Sequence, residues 1–350
     1  MTTDLFGRIL QGDAESLGKI AQAFNAMPVD EDRMESPPAP IRSTQQTIAK
    51  PVSVQGPGTF LGHATRTLRF EPTAMQGWWF DRSDHPDCLP VKVSIRNVWN
   101  TGAIVSNIVL RSGPPHNYIR LVEHIIALRM GYDVDNLLIR LDSGDPPLFD
   151  AGSMDLVDAL NEAGRAPVEQ PVSYVTVKEK VTFAGTRGDY LTLEPVDPAR
   201  PALDLDVGIQ FKTAIGRQRI RFPVNELNFT HGAIARTNTS ATKKLYCQTI
   251  GRMFADVRNL GYSKDNVLIA DKFRYVNKPR LEYNGKALEA VWHRAVLDLL
   301  AAIALIEEGR FLGKITSYKA GHRLDVECVR ALYREDLLET VTFPAGTTVG

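Results

Sequence analysis

The chain has 350 residues, of which 41 are lysine or arginine and 41 are aspartate or glutamate, so its formal net charge at pH 7 is zero. This balance argues against a nucleic-acid partner, because nucleic-acid-binding surfaces normally carry a basic excess. No apolar run approaches the roughly 18 residues that cross a membrane. The start of the chain lacks the basic and apolar regions of a signal peptide, so we predict a cytoplasmic protein with no transmembrane segment.

The length allows about two domains. The three cysteines, Cys88, Cys247 and Cys328, do not form a C-x-x-C pair. Neither a zinc knuckle nor a redox motif is therefore indicated, and in a reducing compartment we expect free thiols.

Residues 1–44 are predicted to be an N-terminal extension and linker. The stretch ESLGKIAQAFNAM at 15–27 fits a short amphipathic helix. The residues after it are rich in proline and charge, which is typical of linkers. We expect much of 28–44 to be disordered, because such a composition buries little apolar surface.

Residues 45–168 are predicted to form a first α+β domain. In chain order, the pattern predicts mainly strands to about residue 110, a helix at 119–131, a strand at 136–142 and a helix at 153–164. A proline-containing join at 165–172 indicates the boundary to the next domain.

Residues 169–345 are predicted to form a second α+β domain with the same plan. Its predicted elements are four strands between 173 and 223, a helix near 242–259, a strand pair at 266–277, a helical run at 286–309, a strand at 313–321 and a helix at 323–335. Strands followed by helices, twice, predict two similar domains, each a mainly antiparallel sheet layered against helices.

Glu123 and His124 stand side by side within the apolar stretch RLVEHIIALRMG. Burying two ionisable groups without partners is costly. A neutral imidazole is a good zinc ligand, and a neighbouring carboxylate can take a proton from an activated water. The pair therefore fits half of a hydrolytic metal site, although an isolated Glu-His dipeptide also fits a purely structural pair.

Two further histidines lie where they can serve catalysis. His293 precedes Asp298 by five positions in a helical run, and on a regular α-helix these positions point about 140° apart. They would then hold one metal poorly, whereas Glu289, four before His293, shares its face. His322 follows a strand in a glycine turn, a place that suits a catalytic, a capping or a solvated histidine.

The remaining histidines, His63, His85, His116 and His231, are expected to be solvated or ordinary polar residues. The sequence contains no G-x-x-x-x-G-K-[ST], no G-x-G-x-x-G after a strand and no G-x-S-x-G. Phosphoryl transfer, nicotinamide chemistry and α/β-hydrolase chemistry are therefore disfavoured.

Taken in order, several segments resemble the UDP-3-O-acyl-N-acetylglucosamine deacetylase (LpxC) family. The resemblance runs from Gln45 to Phe343. It is carried by QTIAKPVSVQGPGTFLGH, MQGWWFDRSDHP, RLVEHIIALRMGYDVDNLLIRLDSGDPPLFDAGS, FTHGAIART, KDNVLIADKFRYVN, HRAVLD, SYKAGH and ETVTF.

The resemblance implies a zinc amidohydrolase of lipid A synthesis with its active site between two domains. It implies zinc as cofactor, a UDP-linked acylated amino sugar as substrate, and a monomer or weak oligomer. The implied zinc ligands are His124, His293 and Asp298. The implied catalytic residues are Glu123 as general base, Thr237 at the carbonyl oxygen, His322 at the oxyanion or leaving amine, and Arg294 in place of the family's lysine. The NVLIADKFRYVN segment matches the family's acyl-chain insert.

The sequence departs from the family pattern around these residues. HRAVLD has one residue more than the family's H-K-x-x-D, so either the helix carries a π-bulge or Asp298 is not a ligand, with Glu289 as a possible substitute. The family's aspartate that steadies the catalytic histidine falls on Ala301–Ala302, which predicts that His322 lacks that partner, and Asn238 replaces an aromatic residue. The alternative to an active deacetylase is a divergent paralogue that hydrolyses another N-acyl substrate, or a non-catalytic nucleotide- or lipid-binding relative.

Overall fold

The computed structural model describes residues 3–58, 64–102, 107–239, 263 and 265–343. The N-terminal extension folds into regular elements. They are α1 (Thr3–Phe6), β1 (Arg8–Gln11), α2 (Ala14–Asn25) and β2 (Glu31–Asp32). Helix α2 confirms the predicted amphipathic helix: the Asp13 carboxylate caps it by accepting from the Ser16 amide, and its buried face carries Leu17, Ala21 and Phe24.

The expectation of disorder over 28–44 is wrong. Strand β2 pairs with a strand of the seven-stranded sheet that the second half of the chain forms. Its residue Glu31 is buried. The Asn225 side chain donates a hydrogen bond to the carbonyl oxygen of Pro37. These long-range partners hold the segment in place, and its local composition did not reveal them.

The first half of the chain contains a five-stranded sheet with helices against it. Its elements are β3 (Thr44–Ile48), β4 (Val52–Pro57), β5 (Thr65–Glu71), β6 (Trp78–Arg82), β7 (Val91–Lys92), β8 (Val98–Asn100), β9 (Val109–Arg111), β10 (Tyr118–Arg120), α3 (Glu123–Ile126), α4 (Leu128–Gly131), β11 (Leu137–Leu141), α5 (Met154–Ala163) and β12 (Arg165–Pro171). The sheet has the order β4-β5-β11-β6-β7. Strand β11 and helix α5 confirm the predictions at 136–142 and 153–164.

Two boundaries in this half differ from prediction. The helix expected from 119 begins at Glu123, because β10 occupies the preceding residues and Leu121 has a positive φ of 56°, which no helix accepts. The join expected at 165–172 is β12, an edge strand paired with β3, and edge strands tolerate its two prolines.

The second half contains a seven-stranded sheet. Its elements are β13 (Tyr174–Val177), β14 (Val181–Ala184), β15 (Tyr190–Glu194), β16 (Leu203–Gln210), β17 (Arg217–Pro223), α6 (Glu226–Ala233), β18 (Thr237–Thr239), β19 (Val267–Ile269), β20 (Glu282–Tyr283), β21 (Lys286–Ala287), α7 (Glu289–His293), a π-helix (Arg294–Leu299), α8 (Leu300–Ile303), β22 (Arg310–Phe311), β23 (Gly313–Tyr318), α9 (His322–Arg334) and β24 (Leu338–Val341). The helix predicted near 242–259 lies outside the described residues.

The seven-stranded sheet has the order β1-β14-β15-β23-β16-β17-β2, so the N-terminal extension supplies both of its outer strands. The run predicted as one helix over 286–309 begins at Glu289, passes through the π-helix and leaves the helix at Ile303. Helix α9 confirms the prediction at 323–335. The five-stranded sheet and the seven-stranded sheet, each with its helices, form two α+β layers, which confirm the predicted fold class. The domain division at residue 168 stays a prediction.

One apolar core joins both layers. It contains Trp78 and Leu128 from the first half and Leu205, Trp292 and Leu300 from the second, all with at most 1% of their surface exposed. The run from α7 to α8 lies at the centre of this core, where α8 packs on α3, α4 and α9. The core thereby sets α3 and the π-helix against each other. No helix among the described residues has the length and apolarity needed to span a bilayer.

Candidate active site

A cavity of about 940 Å³ opens between the two layers. Residues of both halves line it, among them Leu68 from the first sheet and Ile209 from the second. All seven residues singled out by sequence lie on its wall: Glu123, His124, Thr237, His293, Arg294, Asp298 and His322. The fold therefore brings side chains that are up to 199 positions apart in the sequence into one cavity.

Glu123 is the first residue of α3 and is almost fully buried. Its Oε1 accepts a hydrogen bond of 2.9 Å from the backbone amide of Ile108. Burial raises the pKa of the Glu123 carboxyl to about 8, although hydrogen bonds from the backbone of Glu123 and Ile108 oppose the rise. A carboxyl group tuned towards neutral pH is suited to exchange protons with a reacting group.

The imidazole rings of His124 and His293 face each other across the cavity. Their Nε2 atoms are 3.1 Å apart. Burial, reinforced by His293, lowers the pKa of His124 to about 3, so the ring is neutral and a nitrogen lone pair is available. Two nitrogens bound to one tetrahedral zinc at about 2.0–2.1 Å would stand roughly 3.3 Å apart, so the spacing of the two rings fits zinc.

The π-helix confirms the predicted bulge between His293 and Asp298. Its six residues, Arg294–Leu299, follow the last residue of α7 directly. In a π-turn the hydrogen bond spans five positions, so residues five apart share a face. His293 and Asp298 consequently meet, with 3.4 Å between Nδ1 and Oδ1.

Asp298 lies between two imidazoles, because its Oδ1 is also 3.3 Å from Nε2 of His322. Burial would raise the pKa of Asp298, but the two neighbouring histidines and Arg294 hold it well below its ordinary value. As predicted, His322 has no aspartate at Ala301–Ala302, but Asp298 is a different carboxylate within contact distance of the ring.

A donor set of two imidazoles and one carboxylate is the type that holds catalytic zinc. Among the described residues, no three such side chains already converge on one point at ligand distance. Asp298 contacts the Nδ1 side of His293, whereas the nitrogen that faces His124 is Nε2. The chemistry of the three donors therefore fits zinc, and two of them, His124 and His293, already face each other at the spacing that zinc requires.

His322 is the first residue of α9 and follows the turn at Gly321. Its Nε2 lies 3.5 Å from Oε1 of Glu123. Its Nδ1 is buried and has no hydrogen-bond partner among the described residues. Burial lowers the pKa of His322, and Asp298 only partly opposes this shift, so the ring is neutral at pH 7 and can accept a proton.

Arg294 lines the cavity, but its guanidinium group points to other protein groups. Both of its terminal nitrogens bind the Asp325 carboxylate, at 2.7 and 2.6 Å, and one also donates to the Ser317 hydroxyl at 3.1 Å. No motif pointed to Asp325, whose one detectable feature is its position three residues after His322. A catalytic part for Arg294 stays a prediction.

Thr237 begins β18 and lines the cavity. The preceding residue, Arg236, donates from its backbone amide and Nε to Oε1 of Glu289 at 2.9 and 2.7 Å. The other oxygen of Glu289 accepts from the amide of Arg280. The suggestion that Glu289 substitutes as a metal ligand is therefore wrong, because its carboxylate is fully engaged in anchoring α7 to β18.

The other histidines and the cysteines lie away from the site where the structure describes them. The exposed ring of His116 is 3.5 Å from Sγ of Cys88 and stacks near His85, and Cys328 is a buried free thiol. His231 is half-buried against Trp292 and lies in the last turn of α6. His63 and Cys247 fall outside the described residues.

Known proteins match most of this chain in sequence. A family model described as LpxC: UDP-3-O-acyl N-acetylglycosamine deacetylase matches residues 45–334. A UDP-3-O-acyl-N-acetylglucosamine deacetylase of Bdellovibrio bacteriovorus is 30% identical over 292 residues, which cover 83% of this chain and 89% of the relative. Proteins of the same name from Aliarcobacter butzleri and Brucella ovis are 26% and 28% identical, each over 83% of this chain and over 90% and 96% of the relative. The matched family region begins after the N-terminal extension.

Proposed function

The chain belongs to the UDP-3-O-acyl-N-acetylglucosamine deacetylase family, and on this basis we propose that it is a zinc-dependent amidohydrolase of the cytoplasm. Its proposed substrate is UDP-3-O-acyl-N-acetylglucosamine, from which it releases acetate in lipid A biosynthesis. The observation that carries the proposal is the π-helix, because it brings Asp298 to the face of His293, whose ring faces His124.

We assign His124, His293 and Asp298 as the residues that hold zinc. When bound, zinc supplies Lewis-acid polarisation of the amide and activation of water. The burial of His124 favours the neutral ring that binds metal, and the low pKa of Asp298 keeps its carboxylate ionised. The residues around the metal then carry the proton transfers.

The ionised form of Glu123 is the proposed general base, which takes a proton from the attacking water. The neutral ring of His322 lies 3.5 Å from the Glu123 carboxylate, so it would accept this proton from Glu123 and pass it to the departing amine. The Thr237 hydroxyl, which lines the same cavity, would donate a hydrogen bond to the carbonyl oxygen as charge develops there. Each proton-transfer role is worth about 10²–10⁴ in rate.

The test combines metal content with product formation. Purified protein is expected to contain one zinc per chain and to release acetate from UDP-3-O-acyl-N-acetylglucosamine. His124→Ala removes a ligand, so it is expected to lose both the zinc and the acetate release. The measurements are elemental analysis of the protein and acetate quantification.

His116→Ala is the matched control, since it removes an exposed histidine away from the cavity, and it is expected to keep both properties. A wild-type protein without zinc and without acetate release would contradict the proposal. Zinc binding without release of acetate from this sugar would instead favour a relative that acts on another N-acyl substrate.

A further inference from the structure

A short piece of the N-terminal extension contacts the helix that carries His293. Oε2 of Glu31 accepts a hydrogen bond of 2.9 Å from the indole Nε1 of Trp292. Both side chains are buried, with 3% of Glu31 and none of Trp292 exposed. The partners are 261 positions apart in the sequence, and Trp292 immediately precedes His293.

Glu31 is itself held in place. Strand β2 pairs in parallel with β17, with Glu31 opposite Ile220. Nε of Arg33 donates to Oε1 of Glu31 at 2.6 Å, and the Arg33 guanidinium lies over the Trp292 ring at 5.2 Å from its centroid. The acceptor for the indole is thus fixed by both backbone and side-chain partners.

The indole ring has little room to change its orientation. Phe222 and His231 contact its faces, with ring centroids 4.7 and 4.8 Å from that of Trp292. A Cβ atom at Gly232 would lie 2.8 Å from the ring, so α6 approaches as closely as glycine allows. These contacts restrict the ring to one position, in which its Nε1 donates to Glu31.

Helix α7 is the first part of the continuous helical run Glu289–Ile303, and two buried contacts fix it at this end of the run. Glu289 anchors its first residue through Arg236, and Trp292 anchors its last turn through Glu31. A rotation of α7 about its axis would move His293 away from His124.

We propose that Glu31 of the N-terminal extension is a positioning residue for the metal site. By holding Trp292 it sets the rotation of α7 and with it the direction of the His293 ring. The inference rests on the proposed function, since it takes His293 as a zinc ligand. It gives the extension, which lies outside the matched family region, a part in that site.

The test measures the zinc dissociation constant of the full chain by competition with a chelator. Glu31→Ala is expected to weaken zinc binding about tenfold, the lower end of the range for residues that orient metal ligands. Glu31→Gln keeps an oxygen that accepts from the indole and is expected to stay within about threefold of wild type, because the hydrogen bond survives.

Two controls separate positioning from general stability. Asp32→Ala changes the exposed neighbour in β2, and Leu17→Ala weakens the core of α2 without touching Trp292. Both are expected to keep the wild-type zinc affinity, although Leu17→Ala lowers the melting temperature. Equal zinc affinities for folded Glu31→Ala and wild type would overturn the proposal.

Hydrogen exchange of the metal-free proteins distinguishes this inference from the proposed function. Amides of residues 288–300 are expected to exchange faster in Glu31→Ala than in wild type, Glu31→Gln or Asp32→Ala. If wild type bound no zinc, the proposed function would fail while this comparison still decided the positioning role. Unchanged exchange over 288–300 in Glu31→Ala would overturn it.

Discussion

The Glu123 carboxyl is buried next to the cavity, and its neighbours there include one neutral imidazole and one ionised carboxylate. His322 is 3.5 Å away, and Asp298 adds a further negative charge that favours the protonated carboxyl. Desolvation is the largest cause of its raised pKa, so the effect belongs to the folded state and disappears on unfolding.

This difference predicts a pH dependence of stability for the metal-free protein. Between its ordinary pKa of 4.5 and the folded value of about 8, Glu123 holds a proton in the folded state that the unfolded chain releases. The free energy of unfolding therefore falls as pH rises through this window, by up to about 1.4 kcal/mol per pH unit from this group. Glu123→Gln, which cannot ionise, is expected to lack that component in urea unfolding measured from pH 4.5 to 8.

An exposed glutamate provides the reference for this measurement. Glu15→Gln, on the surface of α2, is expected to follow the wild-type curve because its side chain is 81% exposed. If Glu123→Gln and wild type had parallel curves over the whole window, the Glu123 carboxyl would be ionised in the folded protein as it is in water.

At this scale the sequence indicated the titrating groups but not their partners. Glu123, His124, His293 and His322 were identified by residue type and by resemblance. Asp325, which binds Arg294, and Arg236, which binds Glu289, were missed. Both ion pairs join elements far apart in the chain, and no local pattern announces such a pairing.

The run from α7 through the π-helix to α8 shows what one extra residue does to a helix. The additional residue lies within the π-helix Arg294–Leu299. Residues on both sides of the π-helix, such as Trp292 and Leu300, are buried in the core. A regular α-helix with the same sequence would rotate Asp298 about 100° further round the axis.

Removing one residue from the π-helix is expected to preserve metal binding. Deletion of Leu297 leaves His293 and Asp298 four positions apart, which share a face of a regular α-helix. We expect the deletion variant to keep one zinc per chain by elemental analysis. Its stability should fall by about 2–5 kcal/mol, because a buried leucine side chain is lost.

Leu297→Ala is the matched variant, since it loses the side chain but keeps the extra residue. It is expected to show a similar loss of stability and the same zinc content. A folded deletion variant without zinc, beside a zinc-containing Leu297→Ala, would mean that the π-turn itself supplies geometry that an α-turn cannot.

Elements with strong periodicity and clear ends were predictable, as α5 and α9 demonstrate. The start of α3 was not, because the left-handed conformation of Leu121 comes from the tertiary structure around it. The run over 286–309 reads as one helix by composition, since neither the π-turn nor the exit from the helix at Ile303 is marked by proline or glycine within 289–303. Hydrogen-bond pattern and packing decide both.

For the whole molecule, the N-terminal extension is part of the second layer. Strands β1 and β2 form the two outer strands of the seven-stranded sheet, and α2 packs on the sheet between them. Phe24 of α2 contacts Tyr318 and Tyr190 and lies under the Arg219 guanidinium at 4.1 Å. The amphipathic pattern of α2 was visible in the sequence, but the surface that it covers was not.

This arrangement predicts that the extension unfolds together with the rest of the chain. Phe24→Ala removes a ring that is 1% exposed and is expected to lower the free energy of unfolding by about 3–5 kcal/mol. Gln22→Ala, on the exposed face of the same helix, is expected to change it by less than about 0.5 kcal/mol.

Urea unfolding should give one transition by both far-UV circular dichroism and tryptophan fluorescence, because the extension reaches Trp292 in the common core. A separate early transition in Phe24→Ala with an unchanged main transition would instead mean that the sheet keeps its stability without these outer strands.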